Sequence, residues 1–177
     1  MKILDVIAQR QSDRSYKTTP VEPEKIQLCM EAARLAPSAC NSQSWKFIVV
    51  DDPRLKNEIA VCATSTGLNK FTSQVPVIIA VVLEKANVLS LIGGTVRDKD
   101  YTAMDIGMAV ENICLQAEAL GLGTCILGWF NEKKVKQLLH IPKSRRVPLL
   151  ISLGYSDDEK RDKKRKSMDE ICSYNKY

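Results

Sequence analysis

The sequence predicts an α+β fold, in which a mostly antiparallel or mixed sheet is covered by helices. Three observations favour this class. The chain has 177 residues, which suits one hydrophobic core better than two. Apolar residues at helical spacing alternate irregularly with short β-branched runs, and two helical segments come first. No repeat or linker divides residues 1–177, so we expect a single domain.

Helices are predicted where apolar residues recur at helical spacing between end signals. The clearest is 101–120, where apolar positions leave little of the circumference polar. We therefore expect this helix to be central and partly covered by a second subunit. Gly121 stands where a helix-terminating glycine is common. The other predicted helices are 1–10, a segment from Pro23 that ends at Pro37, 52–63 and 132–139.

Strands are predicted at 45–50, 77–83, 124–127 and 147–153 from their β-branched and aromatic content. The run at 77–83 is apolar throughout, which indicates burial on both faces. Pro148 predicts that the last strand begins at a sheet edge or outside the ladder. The glycines after residue 120 lack the spacing of a dinucleotide-binding turn and lead from helix to strand, so we do not expect a Rossmann unit.

Composition excludes several classes of protein. Hydrophobic residues make up 45% and charged residues 27% of the chain, the balance of a soluble globular protein. No apolar run is long enough to cross a bilayer, and residues 1–10 lack the apolar stretch of a signal peptide. We therefore expect a cytoplasmic protein without membrane association.

The cysteines and the single histidine argue against metal, disulfide and hydrolase chemistry. Cys29, Cys62 and Cys114 lie in apolar-periodic segments, where cysteine is usually a small buried hydrophobe. The six cysteines form no C-x-x-C pair, and one histidine is too few for a zinc site. His140 stands at the expected end of a helix, which favours a structural role over a catalytic one.

The formal charge of +5 is concentrated near the C-terminus. One stretch holds six basic residues: Lys160, Arg161, Lys163, Lys164, Arg165 and Lys166. Such a run is usually a solvated tail and sometimes a patch that binds anions or nucleic acid. It lacks the interleaved aromatic residues and glycines of single-strand binders, so we do not expect a nucleic-acid partner.

Three polar segments carry the candidate chemistry. In the first, Arg10, Ser12 and Arg14 follow the first helix, and guanidinium and hydroxyl donors of this kind suit a phosphate. The second, 36–45, crowds hydroxyl and amide groups beside a tryptophan. These groups either make turn hydrogen bonds or contact a planar polar ligand.

The third polar segment spans 121–130 and contains Gly128. A glycine at this point either lets a ligand approach the backbone closely or provides a positive φ where a strand ends. Each of the three segments alone is a weak signal, because surface arginines, polar loops and glycines are common.

Together the three segments resemble the nitroreductase family, and the likeness covers nearly the whole chain in order. The R-x-S-x-R motif of the family is matched by Arg10, Ser12 and Arg14. The A-P-S-x-x-N-x-Q-P-W loop is matched by Ala36, Pro37, Ser38, Asn41, Gln43 and Trp45. The long-helix pattern D-x-G-x-A-x-x-N-x-x-L-x-A-x-x-L-G-L-G-T is matched by Asp105, Gly107, Ala109, Asn112, Leu115, Ala117 and 120–124. The closing features are matched by Gly154, Tyr155, Arg165, Lys166 and Glu170.

The resemblance implies a homodimer that binds FMN at the subunit interface and uses NADH or NADPH as reductant. It implies that Arg10 and Ser12 take the FMN phosphate together with Lys163 and Arg165. Gln11, inside the same motif, belongs to the implied cofactor-binding set. The C-terminal basic run thereby gains a purpose.

The resemblance also places residues around the flavin ring. Arg14 would lie near the N1–C2=O edge, and Gly128 and Trp129 would offer backbone N–H groups to N5 and O4. No catalytic side chain is expected, because the chemistry occurs at flavin N5 with support from these three residues. The remaining implied contacts are Pro37, Ser38 and Asn41 from the second subunit, and Asn69 and Lys70 at the flavin edge.

The chain departs from the family pattern at three places. Gln11 replaces a frequent arginine, Ser44 replaces the loop proline, and Ser167 replaces a proline after the basic pair. None of these changes removes an implied flavin ligand. We expect Ser44 to loosen the loop and to weaken FMN retention.

The implied activity is electron transfer from NAD(P)H through FMN to a nitroaromatic, a quinone or a similar conjugated acceptor by a ping-pong mechanism. The protein then supplies orientation and electrostatics, which agrees with the scarcity of histidine. Two alternatives stay open. One is a specialised flavin enzyme of the same family with a dedicated substrate, and the other is a non-catalytic protein that stores or senses flavin.

Overall fold

The computed structural model describes residues 2–64 and 67–177. Within these ranges the fold is α+β, as predicted, with helices packed on a four-stranded antiparallel sheet in the order β1-β2-β4-β3. The strands are β1 Trp45–Val50, β2 Val77–Leu83, β3 Gly123–Leu127 and β4 Arg146–Gly154. The helices are α1 Ile3–Gln9, α2 Pro23–Arg34, α3 Pro53–Ala63, α4 Val88–Arg97, α5 Tyr101–Ala119, α6 Glu132–Leu138 and α7 Met168–Ile171. Short 3₁₀ helices cover Ala39–Asn41 and Lys70–Ser73.

The sheet separates two hydrophobic cores, and β2 contributes to both of them. Ile78 and Ala80 face the core formed with α3 and α6, whereas Ile79 and Val81 face the core formed with α2 and α5. This alternation explains the unbroken apolar run of β2, because both of its faces are buried. Cys29, Cys62 and Cys114 are buried in these cores, as their spacing predicts.

Strand β4 lies between β2 and β3 in the sheet, but its start lies outside the regular ladder at Pro148, as predicted. Pro148 lies at a register shift opposite β2, between the pairs Val81–Leu149 and Leu83–Arg146. On the other side, pairing with β3 runs from Gly154 only as far as Leu150. The proline is therefore placed at a β-bulge, where its missing N–H interrupts no ladder bond.

Two helices end in the same left-handed cap. After α5, Gly121 has a φ of +74°, and the N–H of Leu122 donates to the carbonyl of Ala117 at 2.8 Å. After α6, His140 has a φ of +52° and occupies the equivalent position. Both ends are Schellman caps, which satisfy carbonyls of the last helical turn. The single histidine is thus a helix-terminal residue, as predicted.

Helix α4 was not predicted and has an unusual distribution of side chains. Its apolar residues point to solvent, whereas Ser90 is buried and Gly94 lies against the backbone of Lys99. The exposed apolar residues of α4 are Val88, Leu89, Leu91, Ile92 and Val96. No helix of the described residues is long and apolar enough to cross a membrane.

Candidate functional site

The first polar segment and the C-terminal basic run meet in one pocket. A cavity of about 340 Å³ lies between residues 10–12 and 161–165. It is lined by Arg10, Gln11, Ser12, Arg161, Asp162, Lys163, Lys164 and Arg165. Five of these eight side chains are cationic, so the pocket is suited to an anion. The four residues predicted to take a phosphate, Arg10, Ser12, Lys163 and Arg165, are thereby brought together.

Lys163 connects this pocket to the end of α1. Its ammonium donates to the carbonyl oxygen of Ile7 at 2.7 Å and to that of Arg10 at 2.5 Å. Carbonyl groups at the C-terminal end of a helix have no partner within the helix, and the ammonium of Lys163 provides one here. Desolvation, together with the nearby charges of Arg10 and Arg165, lowers the pKa of Lys163. An anion in the pocket would offset both effects.

The beginning of the basic run is likewise folded onto the chain and is not a solvated tail. Lys160 pairs with Glu118 of α5 at 2.7 Å. The guanidinium of Arg161 donates to the carbonyl oxygen of Ser12, and its backbone N–H donates to Gln11 Oε1 at 3.1 Å. The sequence did not predict Arg161 as a site residue, because its only notable feature there is membership of the basic run.

Gln11 was predicted to belong to the cofactor-binding set, and its side chain is buried in the protein. The amide nitrogen donates to Asp13 Oδ1 at 2.9 Å and to the carbonyl of Glu159 at 3.1 Å. The amide oxygen accepts hydrogen bonds from Arg161. Because donors and acceptor are taken up within the chain, the geometry favours a role in holding the basic segment over contact with a ligand.

Arg14 has an exposed side chain on a fixed backbone. Its N–H donates to Asp158 Oδ2 at 2.5 Å. The guanidinium forms no ion pair within the described residues, whereas Arg10 lies 3.8 Å from Glu111. Of the two arginines of the motif, Arg14 is therefore the one whose guanidinium forms no ion pair among the described residues.

The second polar segment forms a rigid loop on α5. Both carboxylate oxygens of the buried Asp105 accept from the backbone N–H of Ala39, at 3.0 and 3.1 Å. Cys40, Asn41 and Gln43 all have positive φ values, an uncommon conformation for residues other than glycine. Such a loop persists only when its surroundings hold it in place. Asp105 was missed as a site residue because its partner lies 66 positions away.

A second brace comes from Asn87, at the start of α4. Its side-chain amide donates to the carbonyl of Cys40 at 2.9 Å, and its backbone N–H donates to Ser42 Oγ at 2.8 Å. Ser44 is buried and forms a 2.7 Å hydrogen bond with Ser42. The Ser44 hydroxyl thus takes part in the brace, and the expectation that Ser44 loosens the loop and weakens FMN retention stays a prediction.

The ligand-facing residues predicted in this loop remain accessible. Pro37 and Asn41 are exposed and Ser38 is half-buried. Ser38 Oγ accepts from the N–H of Gln43 at 3.0 Å, which keeps the loop closed on itself. Among the described residues, no hydrogen bond or ion pair joins this loop to 10–14 or to 128–129.

The third segment is tied to Asn69. The Asn69 amide donates to the carbonyl oxygens of Ala63 and Trp129, each at 3.4 Å, while Lys70 is exposed. Trp129 is 62% exposed. Asn69 and Lys70, predicted at the flavin edge, thus lie beside the exit of β3.

The backbone conformation at residue 128 does not require a glycine. Its φ is not among the positive values, and a Cβ built there would come no closer than 4.0 Å to Leu149 Cδ2. The positive-φ explanation for this glycine is therefore wrong. A Cβ at this position would make only ordinary van der Waals contact with Leu149, so neither the backbone conformation nor packing within the chain accounts for the glycine.

Strand β3 connects the two ends of the site. Ser12 bridges to Thr124 at the start of β3, and Gly128 follows its last residue. Four residues of extended chain span about 13 Å. Gly128 thus lies about 13 Å along β3 from the point where Ser12 joins the strand beside the cationic pocket. Arg14 follows Ser12 closely in the chain and so lies toward the end of the strand that carries the pocket.

The fold and this geometry define a class: an α+β protein with a cationic pocket at one end of an edge strand and an open glycine at the other. The profile of the Nitroreductase family matches residues 7–155. The chain belongs to that family.

Named relatives agree with this assignment. A putative NADH dehydrogenase/NAD(P)H nitroreductase of Archaeoglobus fulgidus is 34% identical over 161 residues, covering 89% of this chain and 87% of the relative. The iodotyrosine deiodinase of Thermotoga neapolitana is 27% identical, covering 90% and 92%. The solved structure of an FMN-dependent nitroreductase from Clostridium difficile R20291 has a TM-score of 0.82 and 29% identity, covering 98% and 99%.

Proposed function

We propose that this protein is an FMN-dependent oxidoreductase that takes electrons from NADH or NADPH and passes them to a nitroaromatic, a quinone or a similar conjugated acceptor. Membership of the nitroreductase family supports the class of enzyme. The names of its relatives, which mention NAD(P)H and FMN, support the reductant and the cofactor.

The observation that carries the proposal is the cationic pocket between residues 10–12 and 161–165. Arg10, Ser12, Lys163 and Arg165 supply donors for the FMN phosphate, and charge-assisted hydrogen bonds to phosphate are among the strongest in proteins. Arg161 and Gln11 hold the two sides of the pocket together. The donor set therefore fits a phosphomonoester.

The flavin ring would lie along β3 toward Gly128. Bound FMN supplies two-electron chemistry at N5, so the chain needs no catalytic side chain of its own. Arg14 contributes an unpaired cation for the N1–C2=O edge. Gly128 and Trp129 contribute backbone N–H groups that orient the ring, and Asn69 fixes Trp129 through its carbonyl.

The active species would be a homodimer with shared sites. Pro37, Ser38 and Asn41 stand on a braced loop that does not bond to the phosphate pocket of its own chain, which supports contact with the neighbour's flavin. Exposed Ile3, Leu4 and Leu35 also require cover. An obligate interface of this kind typically buries more than about 2,000 Å².

We treat residues 1–177 as one catalytic domain acting in the cytoplasm on small molecules. A single open face over the flavin would admit reductant and acceptor in turn, which produces ping-pong kinetics. The similarity to an iodotyrosine deiodinase favours a second candidate, a flavin enzyme of this family with one dedicated substrate.

Steady-state kinetics test the proposal. Initial rates measured against NADH or NADPH at several fixed concentrations of a quinone or a nitroaromatic should yield parallel double-reciprocal lines. Converging lines would contradict the ping-pong order. FMN that is retained without turnover of any acceptor would instead support a storage or sensor protein.

A further inference from the structure

Asp13 has a buried carboxylate that the cofactor proposal does not use. The residue is 1% exposed and stands between the two arginines of the first motif. Its Oδ1 accepts two hydrogen bonds, whereas Oδ2 has no partner among the described residues. A half-satisfied carboxylate in the interior is costly, so its retention requires a reason.

One hydrogen bond of Asp13 leads to the basic segment. Gln11 donates to Asp13 Oδ1 at 2.9 Å, and the other end of the same amide accepts from the backbone and guanidinium of Arg161. The carboxylate thereby fixes the orientation of the amide. In the opposite orientation an NH₂ group would face the N–H donors of Arg161.

The other hydrogen bond leads back to Arg14. Ser156 donates to Asp13 Oδ1 at 2.7 Å, and the N–H of Asp158 donates to the Ser156 hydroxyl at 3.1 Å. Asp158 in turn accepts from the backbone N–H of Arg14. One carboxylate oxygen is therefore the common point of two chains of hydrogen bonds that hold residues 156–161 against 11–14.

The carboxylate is itself held rigidly. The N–H of Asp13 donates to the carbonyl of Thr124 at 2.9 Å, and its own carbonyl accepts from Tyr16 at 2.9 Å. A Cβ at Gly123 would stand 2.6 Å from Asp13 Oδ2 and 2.9 Å from the Cβ of Ser156. Gly123 is thus needed to admit the carboxyl group between β3 and Ser156.

We propose that Asp13 is the positioning residue that assembles the phosphate pocket, by docking the segment that begins at Ser156 onto the first motif. The inference rests on the proposed function only in naming FMN as the occupant. Asp13 touches no ligand in this account and acts through Gln11 and Ser156.

Whether FMN binding tightens or weakens when Asp13 is replaced distinguishes a positioning role from a purely electrostatic one. A buried negative charge near a phosphate opposes phosphate binding, so its removal alone should tighten binding. Loss of the two hydrogen bonds should instead weaken binding, because Arg161 and the segment that begins at Ser156 lose anchors that hold them beside the pocket. Asp13→Asn and Asp13→Ala remove the same charge, but only Asn keeps an Oδ1 acceptor.

The experiment measures dissociation constants for FMN and for riboflavin, which lacks the phosphate, with purified apoprotein and the two variants. Glu132→Ala is the matched control, since it removes a carboxylate bonded to Arg146 and to the N–H of Val147, at a site outside the pocket lining. We expect Asp13→Ala to weaken FMN binding about tenfold and to leave riboflavin binding unchanged. Asp13→Asn and Glu132→Ala should bind FMN as tightly as the parent chain or more tightly.

Amide hydrogen exchange of the apoprotein tests the inference without a ligand. Asp13→Ala should speed exchange at the N–H of Arg161, which Gln11 protects, and at the N–H of Arg14, which Asp158 protects. Ser156→Ala breaks only the second of these two chains, so it should speed exchange at the N–H of Arg14 and leave that of Arg161 unchanged. Unchanged exchange in both variants would overturn the inference, as would equal weakening of FMN and riboflavin binding. Failure of the parent chain to bind FMN would count against the proposed function, while the exchange result would still decide the role of Asp13.

Discussion

The ammonium of Lys163 donates to the backbone carbonyl of Arg10 at 2.5 Å, joining residues 153 positions apart in the chain. This bond places the C-terminal basic segment over the end of α1 and closes one side of the cationic pocket. The cationic pocket is thereby built from two segments that lie far apart in the sequence.

Replacing Lys163 by alanine should weaken FMN binding about tenfold, because a charge-assisted donor to the phosphate is lost along with the contact to α1. Lys166→Ala is the control, since Lys166 is basic and exposed but does not line the pocket. Fluorescence titration of apoprotein with FMN measures both. Equal effects of the two substitutions would point to general charge and not to a built site.

The lowered pKa of Lys163 predicts a pH dependence. Lys163 is positively charged below its folded-state pKa and loses that charge as pH rises through it. Because this pKa is lowered, FMN affinity should begin to fall at a pH below the ordinary pKa of lysine. Burial and the neighbouring arginines cause the shift. Titration of Lys163→Arg, which stays charged throughout, should lack this loss, and an identical pH profile in both proteins would refute the assignment.

Arg14→Ala should affect reduction more than retention of the cofactor. The phosphate charge is shared by several other cations, so FMN should still co-purify. A cation at N1–C2=O interacts more strongly with the reduced, negatively charged flavin than with the oxidised ring, and losing it should lower the reduction potential by roughly 30 mV. Spectroelectrochemistry of Arg14→Ala and Arg10→Ala checks this, because Arg10→Ala should weaken binding and spare the potential.

Gly128→Ala and Gly123→Ala should fail in different ways. At Gly128 a Cβ would make only ordinary van der Waals contact with Leu149, at 4.0 Å, so thermal stability should be unchanged. FMN affinity should fall, because the methyl group would occupy space that the proposed flavin ring needs. At Gly123 a Cβ would contact Asp13 and Ser156, so stability should fall. Calorimetry and FMN titration of both variants separate these outcomes. Normal FMN affinity in Gly128→Ala would contradict the placement of the flavin ring next to residue 128.

Mixed dimers test whether the sites are shared between subunits. Arg10→Ala damages the phosphate pocket, and Asn41→Ala damages the loop predicted to serve the neighbour. If each site uses one pocket and the other chain's loop, random mixing of the two weakened variants should return about a quarter of the sites to the activity of the parent chain. Activity that stays at the level of the separate variants after subunit exchange would place both parts in one chain.

Local sequence signals predicted most of the secondary structure. The bounds of β1, β2 and α3 agree with the sequence prediction, because each has clear boundary signals such as Asp52 and Pro53 before α3. Helix α4 was missed because two adjacent glycines, which lower helix propensity, interrupt its apolar residues. The apolar side of this helix faces solvent in this chain.

The sequence identified residues that line the cationic pocket, but not the residues that support the neighbouring loop. Arg10, Ser12 and Lys163 were predicted from donor chemistry and from the family resemblance. Asp105 and Asn87 act through contacts with a loop formed by distant residues. Asp105 stands in the long-helix pattern of the family, but neither that pattern nor any periodicity shows which residue it contacts. Their discovery required the folded geometry.

Anaerobic titration of the FMN-loaded protein with NADH and with NADPH tests the central claim most directly. The account predicts that flavin absorbance bands persist through gel filtration, bleach with one equivalent of at least one nicotinamide nucleotide, and return on addition of a quinone or a nitroaromatic. A protein that retains no flavin after incubation with FMN, or whose bound flavin neither nucleotide reduces, would contradict it.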